Sequence, residues 1–495
     1  MSLESEVPEV KASGHAVQKT AELLPLCCDL DGTLIFTDLL HESILALFKA
    51  NLRAVFLIPF WLLKGKAHLK AELQKRVRLD VESLPYNQEV VAFLKAEKLK
   101  GRSLVLVTAS NELLANEVAK HLGLFDLVFG SPSDKNLRGS SKASLLKDRF
   151  GAHGFDYIGD EVADLAVWKV SSSAIVVGRS NSSLIGKVKK RSSQTTVLPG
   201  RTAKLRDLIR AVRPHQAAKN VLIFIPMITS HRFTHLGDVV FGVLAFIAFT
   251  MCAWSGYLIN DLLDLSSDRR HTQKRNRPLA SGRVTVSTAV ISAFTLIVLA
   301  AGIASQLPGR FAAVLAIYFA MTISYSVSLK SKVMLDVIFL ACLYVIRVIA
   351  GHEAMNIPYS PWLLAFSMYI FLSLALLKRF AELRELSNRS LTSAHGRGYT
   401  VADASQVNIL GAASGYMSVL VLAFYLNSPD VVKLYSKPQI LWLLCPVILF
   451  WVSRVWILAN RGEMHHDPIV FAIRDRTSLL VGTIAAFILF LASVL

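Results

Sequence analysis

NDLLDLSSDRRHTQKRNRPLASG, residues 260–282, combines closely spaced carboxylates with a dense run of basic residues. Its aspartates, Asp261, Asp264 and Asp268, are three and four residues apart, a spacing that places all three on one face of a helix. Carboxylates grouped in this way suit Mg²⁺, which usually binds through one or two of them together with substrate phosphates. Six Lys or Arg residues follow by position 283 and could hold the rest of a phosphorylated ligand.

The position of this motif adds to its meaning, because it ends a long apolar run where a helix would leave a bilayer. Carboxylates at that depth are costly, and they usually serve a function. A solvated charged loop between two membrane helices is the alternative, but such a loop needs charge and not this carboxylate spacing. We therefore expect catalytic roles for Asp261 and Asp264, Mg²⁺ binding by these two and Asp268, and substrate binding by Asn260.

The composition divides the chain into two parts. With 53% hydrophobic residues and a mean hydropathy of +0.46 over 495 residues, the chain is too apolar for an ordinary soluble protein. Residues 1–210 alternate short apolar and charged segments, whereas apolar stretches of roughly 18–24 residues, long enough to cross a bilayer, recur from about residue 218. A membrane location accounts for the net charge of +18, so no nucleic-acid partner is expected.

Nine membrane spans are predicted, near 218–231, 238–259, 285–305, 311–329, 334–351, 362–378, 407–426, 439–459 and 478–495. If the N-terminal part is cytosolic, the loops on that side carry 16 Lys or Arg residues and the opposite loops carry 4. This asymmetry predicts that the N-terminal domain and the active sites face the cytosol. The expected divisions are a tail (1–21), an α/β domain (22–185, with a cap at about 35–100), a basic linker (186–212) and an all-α polytopic membrane domain (213–495).

The α/β domain is predicted from three short apolar strands that each end in polar residues. The first strand, within LLPLCCDLDGTL (23–34), ends in Asp29 and Asp31. The second, SLVLVTAS (103–110), ends in Thr108 and Ser110, and the third, GFDYIGD (154–160), ends in Asp160. Lys142 lies in a Gly/Ser turn at a helix start, and Asp164 lies one helical turn after Asp160. Ligands bind at the carboxyl ends of strands in such sheets, so these side chains are expected to converge if the strands are neighbours. These groups could carry out phosphoryl transfer, with one aspartate as nucleophile and another as acid or base.

These motifs, in this order, resemble the haloacid dehalogenase (HAD) superfamily across roughly residues 22–185. The resemblance implies a Rossmann-like phosphatase domain in which Asp29 is the nucleophile and Asp31 the general acid/base. It also implies that Thr108 or Ser110, with Lys142, binds phosphate. Asp160 and Asp164 would bind Mg²⁺ together with Asp29 and Asp31.

The region between the first two motifs is the usual place for a helical cap in that superfamily, and it contains AVFLIPFWLL (54–63), flanked by Arg53 and Lys64. Ten apolar residues are too few to span a bilayer. The segment is either a buried cap helix or an amphipathic segment in the membrane interface, with Trp61 at headgroup level.

The membrane domain resembles the UbiA prenyltransferase superfamily in its aspartate-rich motif, in RPHQAAKN (213–220) and in YSVSLK (325–330). This resemblance implies about nine transmembrane helices around a cytosol-facing cavity, Mg²⁺ dependence and polyprenyl phosphate or diphosphate substrates. Candidate substrate-binding residues are Lys219, Asn260, Lys274, Arg277, Tyr325, Lys330, Arg347, Lys378, Arg379 and Glu382. For Arg347, in the predicted fifth span, snorkelling or a structural pairing is equally possible, and Asp336 could bind metal or cap its helix.

One departure from the superfamily bears on the substrate. Members that prenylate aromatic acceptors usually carry a second aspartate-rich motif after the sixth span, but here that position reads LKRFAELRELSNR (377–389), without aspartate. This pattern, and RGEMHHDPIVFAIRDR (461–476), resemble the branch that transfers 5-phosphoribose from phosphoribosyl pyrophosphate to a polyprenyl phosphate. His465, His466 and Asp467 within the latter could form a metal site, but they are interpreted as a solvated loop because no further ligand is close in sequence.

The two resemblances together predict a bifunctional enzyme, in which the membrane domain forms a lipid-linked ribose 5-phosphate and the HAD domain removes the phosphate. The alternative is a prenyltransferase that moves a polyprenyl chain from its diphosphate onto an aromatic or other small acceptor, with an independent phosphatase.

Overall fold

The computed structural model describes residues 23–132, 136–178, 183–190, 194–201, 204–388, 398–464 and 468–494. The chain forms two compact units, Met1–Thr202 and Ala203–Leu495. The tail predicted at residues 1–21 and the loop residues His465, His466 and Asp467 lie outside the described residues.

The first unit is built on a parallel sheet of six strands, in the order β3-β2-β1-β4-β5-β6. The strands are β1 (Leu26–Cys28), β2 (Leu104–Asn111), β3 (Leu127–Ser131), β4 (Asp156–Gly159), β5 (Ala174–Gly178) and β6 (Thr195–Pro199). Side chains alternate between two buried cores, with Leu26 and Cys28 in one and Cys27 in the other. Such continuous apolar runs are typical of parallel strands covered on both faces, and the predicted α/β fold is confirmed.

Strand β6 extends the sheet further along the chain than the sequence predicts. Thr195–Pro199 lies in the segment expected to be a basic linker, yet it pairs with β5 over five registered positions. Thr and Val favour strands, but the basic, serine-rich sequence before them (187–194) indicates a linker, so the strand is recognised only from its pairing with β5.

The described residues of the first unit also form nine helices. They are α1 (Leu39–Ala50), α2 (Leu52–Val55), α3 (Ile58–Leu63), α4 (Lys66–Arg76), α5 (Gln88–Leu99), α6 (Glu112–Leu122), α7 (Ser140–Phe150), α8 (Leu165–Trp168) and α9 (Ser183–Lys189). Helices α1–α4 occupy the position expected for the cap and share a small core of their own that includes Leu47, Trp61 and Leu73.

The second unit is helical throughout its described residues. Its helices are α10 (Leu205–Val212), α11 (Ile225–Thr229), α12 (Leu236–Leu263), α13 (Leu265–Arg270), α14 (Val286–Ala304), α15 (Gly309–Val327), α16 (Leu335–Ala354), α17 (Pro361–Asn388), α18 (Ala404–Leu426), α19 (Pro429–Leu434), α20 (Leu444–Arg461), α21 (Pro468–Arg474) and α22 (Arg476–Val494). Eight of the helical segments in this part of the chain are long and apolar enough to cross a membrane. They match the last eight predicted spans.

The first predicted span, 218–231, is different. A 3₁₀ segment, Pro214–Phe224, runs into the five-residue helix α11 instead of forming one long helix. Pro226 has no N–H to donate, which disfavours a continuous α-helix. The carbonyl of Ile223 packs so closely on Gly351 of α16 that a Cβ there would lie 2.0 Å from the oxygen. Irregular backbone is tolerated at membrane depth where protein covers it.

Candidate active sites

The carboxyl edge of the sheet brings together the polar residues predicted there. Asp29 and Asp160 directly follow β1 and β4, and Thr108 lies in the second half of β2. Because β1 lies between β2 and β4, the three residues belong to adjacent strands. Asp29, Asp31, Lys142 and Asp164 line one cavity of about 120 Å³. The convergence expected from the strand ends is therefore present.

Lys142, near the start of α7, is the cation at the centre of this edge. Its ammonium lies 2.9 Å from Asp29 Oδ1 and 3.7 Å from Asp164 Oδ1, and it donates to the Tyr157 hydroxyl at 2.9 Å. Tyr157 in turn donates to Asp164. Burial lowers the pKa of Lys142, but the facing carboxylates outweigh it and raise that pKa, so the group stays charged beside any bound phosphate.

Three carboxylates at this edge could hold a metal ion. Oxygen atoms of Asp29, Asp160 and Asp164 lie within 4.8 Å of one another, and this donor set suits Mg²⁺. Burial, reinforced by the neighbouring carboxylates, raises the pKa of Asp160 well above its usual range. Burial raises the pKa of Asp29 to about 7, although Lys142 opposes the shift. Such crowding of carboxylates is costly without a cation, so the residues fit a divalent metal.

Asp31 is placed differently from these three. It accepts hydrogen bonds from the Leu39 backbone N–H at 2.8 Å and the Ser110 hydroxyl at 2.6 Å, and the Thr108 hydroxyl lies 3.5 Å away. Burial raises its pKa to about 6, the charge of Asp38 adds to the shift, and the two hydrogen bonds oppose it. A carboxyl that titrates near neutrality is suited to exchange protons with a leaving group.

The cavity also exposes basic residues that sequence reasoning missed. Lys66 and Lys70 reach it from α4 of the cap, and Arg138 reaches it from the turn before α7. Lys70 donates to the carbonyl of Ala109 at 2.5 Å. The cap lysines stand among surface-type basic residues in the sequence, so only the fold of the cap distinguishes them.

Gly32 is required here by both conformation and space. Its φ is +78°, and a Cβ would lie 2.3 Å from Asp160 Oδ2. Gly32→Ala is therefore expected to cost about 1–2 kcal/mol in backbone strain and to displace Asp160, with roughly a 100-fold loss of phosphatase activity. The assay is hydrolysis of p-nitrophenyl phosphate by the full chain in detergent, beside its thermal unfolding.

Gly123→Ala is the matched control for that substitution. Its φ is also positive, +63°, but no atom lies within 4 Å of the added Cβ. Gly123→Ala should lower the unfolding temperature through backbone strain but should leave the hydrolysis of p-nitrophenyl phosphate unchanged. Equal losses in the two variants would contradict a role for the space beside Asp160.

In the second unit, the aspartate-rich motif spans the end of α12 and the short helix α13. Asp261 and Asp268 are buried and share the Arg277 guanidinium, whose Nη1 lies 3.3 Å from Asp261 Oδ1 and 2.5 Å from Asp268 Oδ2. Arg213 donates a second contact to Asp261. Burial raises the pKa of Asp268, and Arg277 opposes that shift.

Asp264 follows directly after α12 and is less buried. Lys330, from the 3₁₀ turn after α15, lies 2.5 Å from its Oδ1. Each of the three predicted aspartates thus faces a cation, and together with Arg213, Arg277 and Lys330 they form a mixed-charge cluster, which we call the aspartate–arginine cluster. The contact to Arg213 was missed, although the RPHQAAKN segment that begins with it pointed to the region.

Such a cluster can bind a metal-complexed diphosphate, because carboxylates ligate the cation and guanidinium and ammonium groups bind phosphate oxygens. Within the described part of the chain, the carboxylates that already converge on one point are those of the first unit. In the second unit, Asp261 and Asp264 have the donor chemistry for Mg²⁺, and their present partners are the groups that would face the phosphates.

Arg347 lies within the helical bundle in a network of polar partners. Its Nε donates to Asn220 at 2.8 Å and its Nη2 to the Tyr318 hydroxyl at 3.1 Å, and Asn220 donates to Thr250. The guanidinium also lies over the Tyr318 ring, 5.0 Å from its centroid. These contacts fit the structural alternative for Arg347, which anchors the irregular 214–224 segment.

Arg379 is also buried, contrary to its predicted place on a substrate-facing loop. It is 1% exposed, its Nε lies 2.9 Å from Asp336 Oδ2, and it also pairs with Glu382. Asp336 accepts a hydrogen bond from Tyr399 at 2.8 Å. Helix α17 continues through Asn388, so the expected loop is helical at this point and turns Arg379 inward. Asp336 is thereby a structural partner and not an exposed metal ligand.

The other predicted substrate-binding residues occupy separate elements. Asn260 lies in α12, Lys274 in a 3₁₀ turn, Tyr325 in α15 and Lys378 in α17. The Lys219 ammonium lies 5.5 Å from the centroid of the Tyr344 ring.

Comparison with known proteins gives two family matches and several relatives. The model of the UbiA prenyltransferase family matches residues 223–473, and that of haloacid dehalogenase-like hydrolases matches residues 26–169. An uncharacterized protein of Sinorhizobium fredii, y4nM, is 36% identical over 94% of this chain and 90% of its own length. Nodulation protein NoeC of Azorhizobium caulinodans is 35% identical over 54% of this chain and 88% of its own. A decaprenyl-phosphate phosphoribosyltransferase of Mycolicibacterium smegmatis is 32% identical, with corresponding coverages of 57% and 92%.

Proposed function

This chain is an integral membrane protein that belongs to the UbiA prenyltransferase family and carries an N-terminal HAD-like domain, and from that premise we propose that it is a bifunctional enzyme. The membrane domain transfers 5-phosphoribose from phosphoribosyl pyrophosphate to a polyprenyl phosphate. The HAD-like domain then hydrolyses the 5-phosphate of the lipid-linked product.

The absence of aspartate from residues 377–389 is the observation that carries the choice of donor. A prenyl diphosphate donor in this family would use a second aspartate-rich motif there, whereas basic residues suit a polar substrate with several phosphates. The similarity to a phosphoribosyltransferase over 57% of the chain supports the same choice.

In the transfer reaction, an oxygen of the polyprenyl phosphate forms a bond to the anomeric carbon of the ribose as the bond to diphosphate breaks. Arg277 and Lys330 bind phosphate oxygens of the leaving diphosphate, and Arg213 holds Asp261 in place. At both sites bound Mg²⁺ would neutralise phosphate charge, held by Asp261 and Asp264 in the membrane domain and by Asp29, Asp160 and Asp164 in the HAD-like domain.

In the hydrolysis, Asp29 attacks phosphorus and forms an aspartyl-phosphate, while Asp31 gives a proton to the departing ribose oxygen. Water then cleaves the aspartyl-phosphate, with Asp31 taking its proton. Lys142 lies 2.9 Å from Asp29 and balances the charge of the phosphate oxygens. The excess of Lys and Arg in one set of loops supports a cytosolic location for both reactions, in a bacterial cytoplasmic membrane.

The direct test incubates membranes that contain the chain with radiolabelled phosphoribosyl pyrophosphate and a polyprenyl phosphate. The expected result is label in the organic extract, and it should depend on both substrates and on Mg²⁺. Failure to label lipid, combined with prenylation of an aromatic acceptor from a polyprenyl diphosphate, would instead establish the alternative reaction.

Lys378→Ala tests the basic segment that replaces the second aspartate motif. Loss of a charge-assisted contact to phosphate costs about 1.5–3 kcal/mol, so the KM for phosphoribosyl pyrophosphate should rise roughly 10-fold to 100-fold. Lys437→Ala, an exposed lysine predicted to lie on the opposite side of the membrane, is the control and should leave this constant unchanged. A KM unaffected by Lys378→Ala would remove Lys378 from the donor site.

A further inference from the structure

The cap of the HAD-like domain carries an apolar surface that neither reaction uses. We call it the cap ridge, and its exposed residues are Phe48, Phe56, Leu57, Phe60, Leu62 and Leu63. Phe56 is 75% exposed, Phe60 64% and Leu63 85%. Five of the six lie within residues 56–63, and such a dense group of exposed apolar side chains usually marks an interaction site.

The ridge belongs to a well-packed element. Helices α2 and α3 turn Ala54 and Trp61 inward, onto the cap core with Leu47, Leu69 and Leu73. The Arg76 guanidinium covers the Trp61 ring at 4.5 Å, so Trp61 lies inside the cap and not at headgroup level as one prediction had it. The two helices therefore have one face fixed in the cap and one apolar face that the described residues leave uncovered.

The charge around the ridge has one sign. Residues 43–71 contain five Lys or Arg residues and no Asp or Glu. Lys49, Arg53, Lys64 and Lys66 are exposed beside the apolar side chains. An apolar strip with basic flanks fits the surface of a bilayer that contains anionic lipids, because the strip enters the acyl boundary while the cations contact the headgroups.

Two further features favour a bilayer as the occupant. Eight candidate spans in the same chain keep this domain at a membrane. Helix α3 has six residues, about 9 Å, which is too short to cross a bilayer but long enough to lie in its interface. We propose that the cap ridge inserts into the lipid surface and holds the phosphatase cavity at the level of lipid headgroups.

This arrangement has a consequence for substrate choice, which rests on the proposed function. Leu40, Lys66 and Lys70 of the cap helices line the phosphatase cavity. The same cap therefore carries the ridge that contacts lipid and residues that line the phosphatase cavity. The domain would select phosphate esters at a membrane surface over soluble phosphate esters.

The test places a fluorophore on the ridge of the full chain in vesicles of phosphatidylcholine and phosphatidylglycerol. Leu63→Cys is labelled with a polarity-sensitive nitrobenzoxadiazole dye, and Leu99→Cys, at a site 90% exposed on α5 of the same domain, is the matched control. The wild-type chain, whose five cysteines are buried or partly buried, gives the labelling background.

The expected result is a blue-shifted emission of the dye at position 63. Lipids with a spin label on the acyl chain should quench this dye at least two-fold more than they quench the dye at position 99. Equal, water-like emission at both positions would overturn the proposal. A blue shift at position 63 without quenching by lipid would also overturn it, since protein, such as a second copy of the chain, would then cover the ridge.

A double variant, Phe60→Ser with Leu63→Ser, tests the membrane contact kinetically. Both side chains are exposed, so the substitutions leave the core of the cap intact. The KM for the lipid-linked ribose phosphate in vesicles should rise at least five-fold, with kcat/KM for p-nitrophenyl phosphate unchanged. A parallel change for both substrates would contradict the membrane contact. Quenching of the dye at position 63, combined with a wild-type chain that leaves the glycolipid phosphate intact, would support the membrane contact of the cap ridge and contradict the proposed phosphatase substrate.

Discussion

Replacing Asp261 or Asp264 with asparagine is expected to abolish glycolipid formation, with a loss of at least about 100-fold for each substitution. Asparagine keeps the shape of the side chain but removes the charge that ligates the cation and neutralises the leaving diphosphate, an effect worth several kcal/mol. Transfer of label from phosphoribosyl pyrophosphate into lipid measures the loss.

Two controls separate this effect from damage to the fold. Asp238→Asn changes a carboxylate at the other end of the same helix, α12, where Asp238 pairs with Arg232 at 2.8 Å, and should retain transfer. Hydrolysis of p-nitrophenyl phosphate by the HAD-like domain should continue in the Asp261 and Asp264 variants. Normal transfer in both would exclude the aspartate–arginine cluster as the site of reaction.

Asp29→Asn is expected to leave transfer intact and to stop dephosphorylation, so the lipid-linked ribose should accumulate with its 5-phosphate attached. An amide is too weak a nucleophile to form the aspartyl-phosphate, and Lys142 loses the carboxylate 2.9 Å away. Mass spectrometry of the lipid extract should show the phosphorylated form as nearly all of the product.

Asp148→Asn, a change at an exposed carboxylate on α7, is the matched control and should leave the ratio of phosphorylated to dephosphorylated lipid unchanged. If Asp29→Asn also gives the wild-type ratio of phosphorylated to dephosphorylated lipid, the HAD-like domain acts on another substrate. The transferase assignment would survive this result, because the Asp261 and Asp264 variants test it independently.

Local sequence was sufficient for the strands that carry Asp29, Thr108 and Asp160. Each is a short apolar run that ends in polar residues, and strand and turn preferences act over a few neighbouring residues. Strand β6 was not recognised in this way, because Thr195–Pro199 follows a basic, serine-rich segment that is typical of a linker, and its pairing with β5 appears only in the tertiary structure. The first predicted span is an irregular segment and not one long helix for a related reason, since packing on Gly351 and a hydrogen bond to Asn220 stabilise it.

Helical register explains the misplaced candidates. Arg379 stands one residue from Lys378 in the sequence, but consecutive residues of a helix point about 100° apart, and Arg379 faces the interior. Its charge predicted a phosphate contact, whereas Asp336 and Glu382 neutralise it within the bundle.

The sequence by itself determined the two-domain class, eight of the nine predicted membrane spans, the order of the HAD motifs and the spacing of Asp261, Asp264 and Asp268. Hydropathy, periodicity and motif order are local properties. Tertiary structure alone decided which cation faces each carboxylate. Arg213 reaches Asp261 across 48 residues and Lys330 reaches Asp264 across 66, and the cap brings Lys70 to the phosphatase cavity. Such pairings depend on how distant helices pack, because a buried charge is stabilised by whichever opposite charge the fold places beside it.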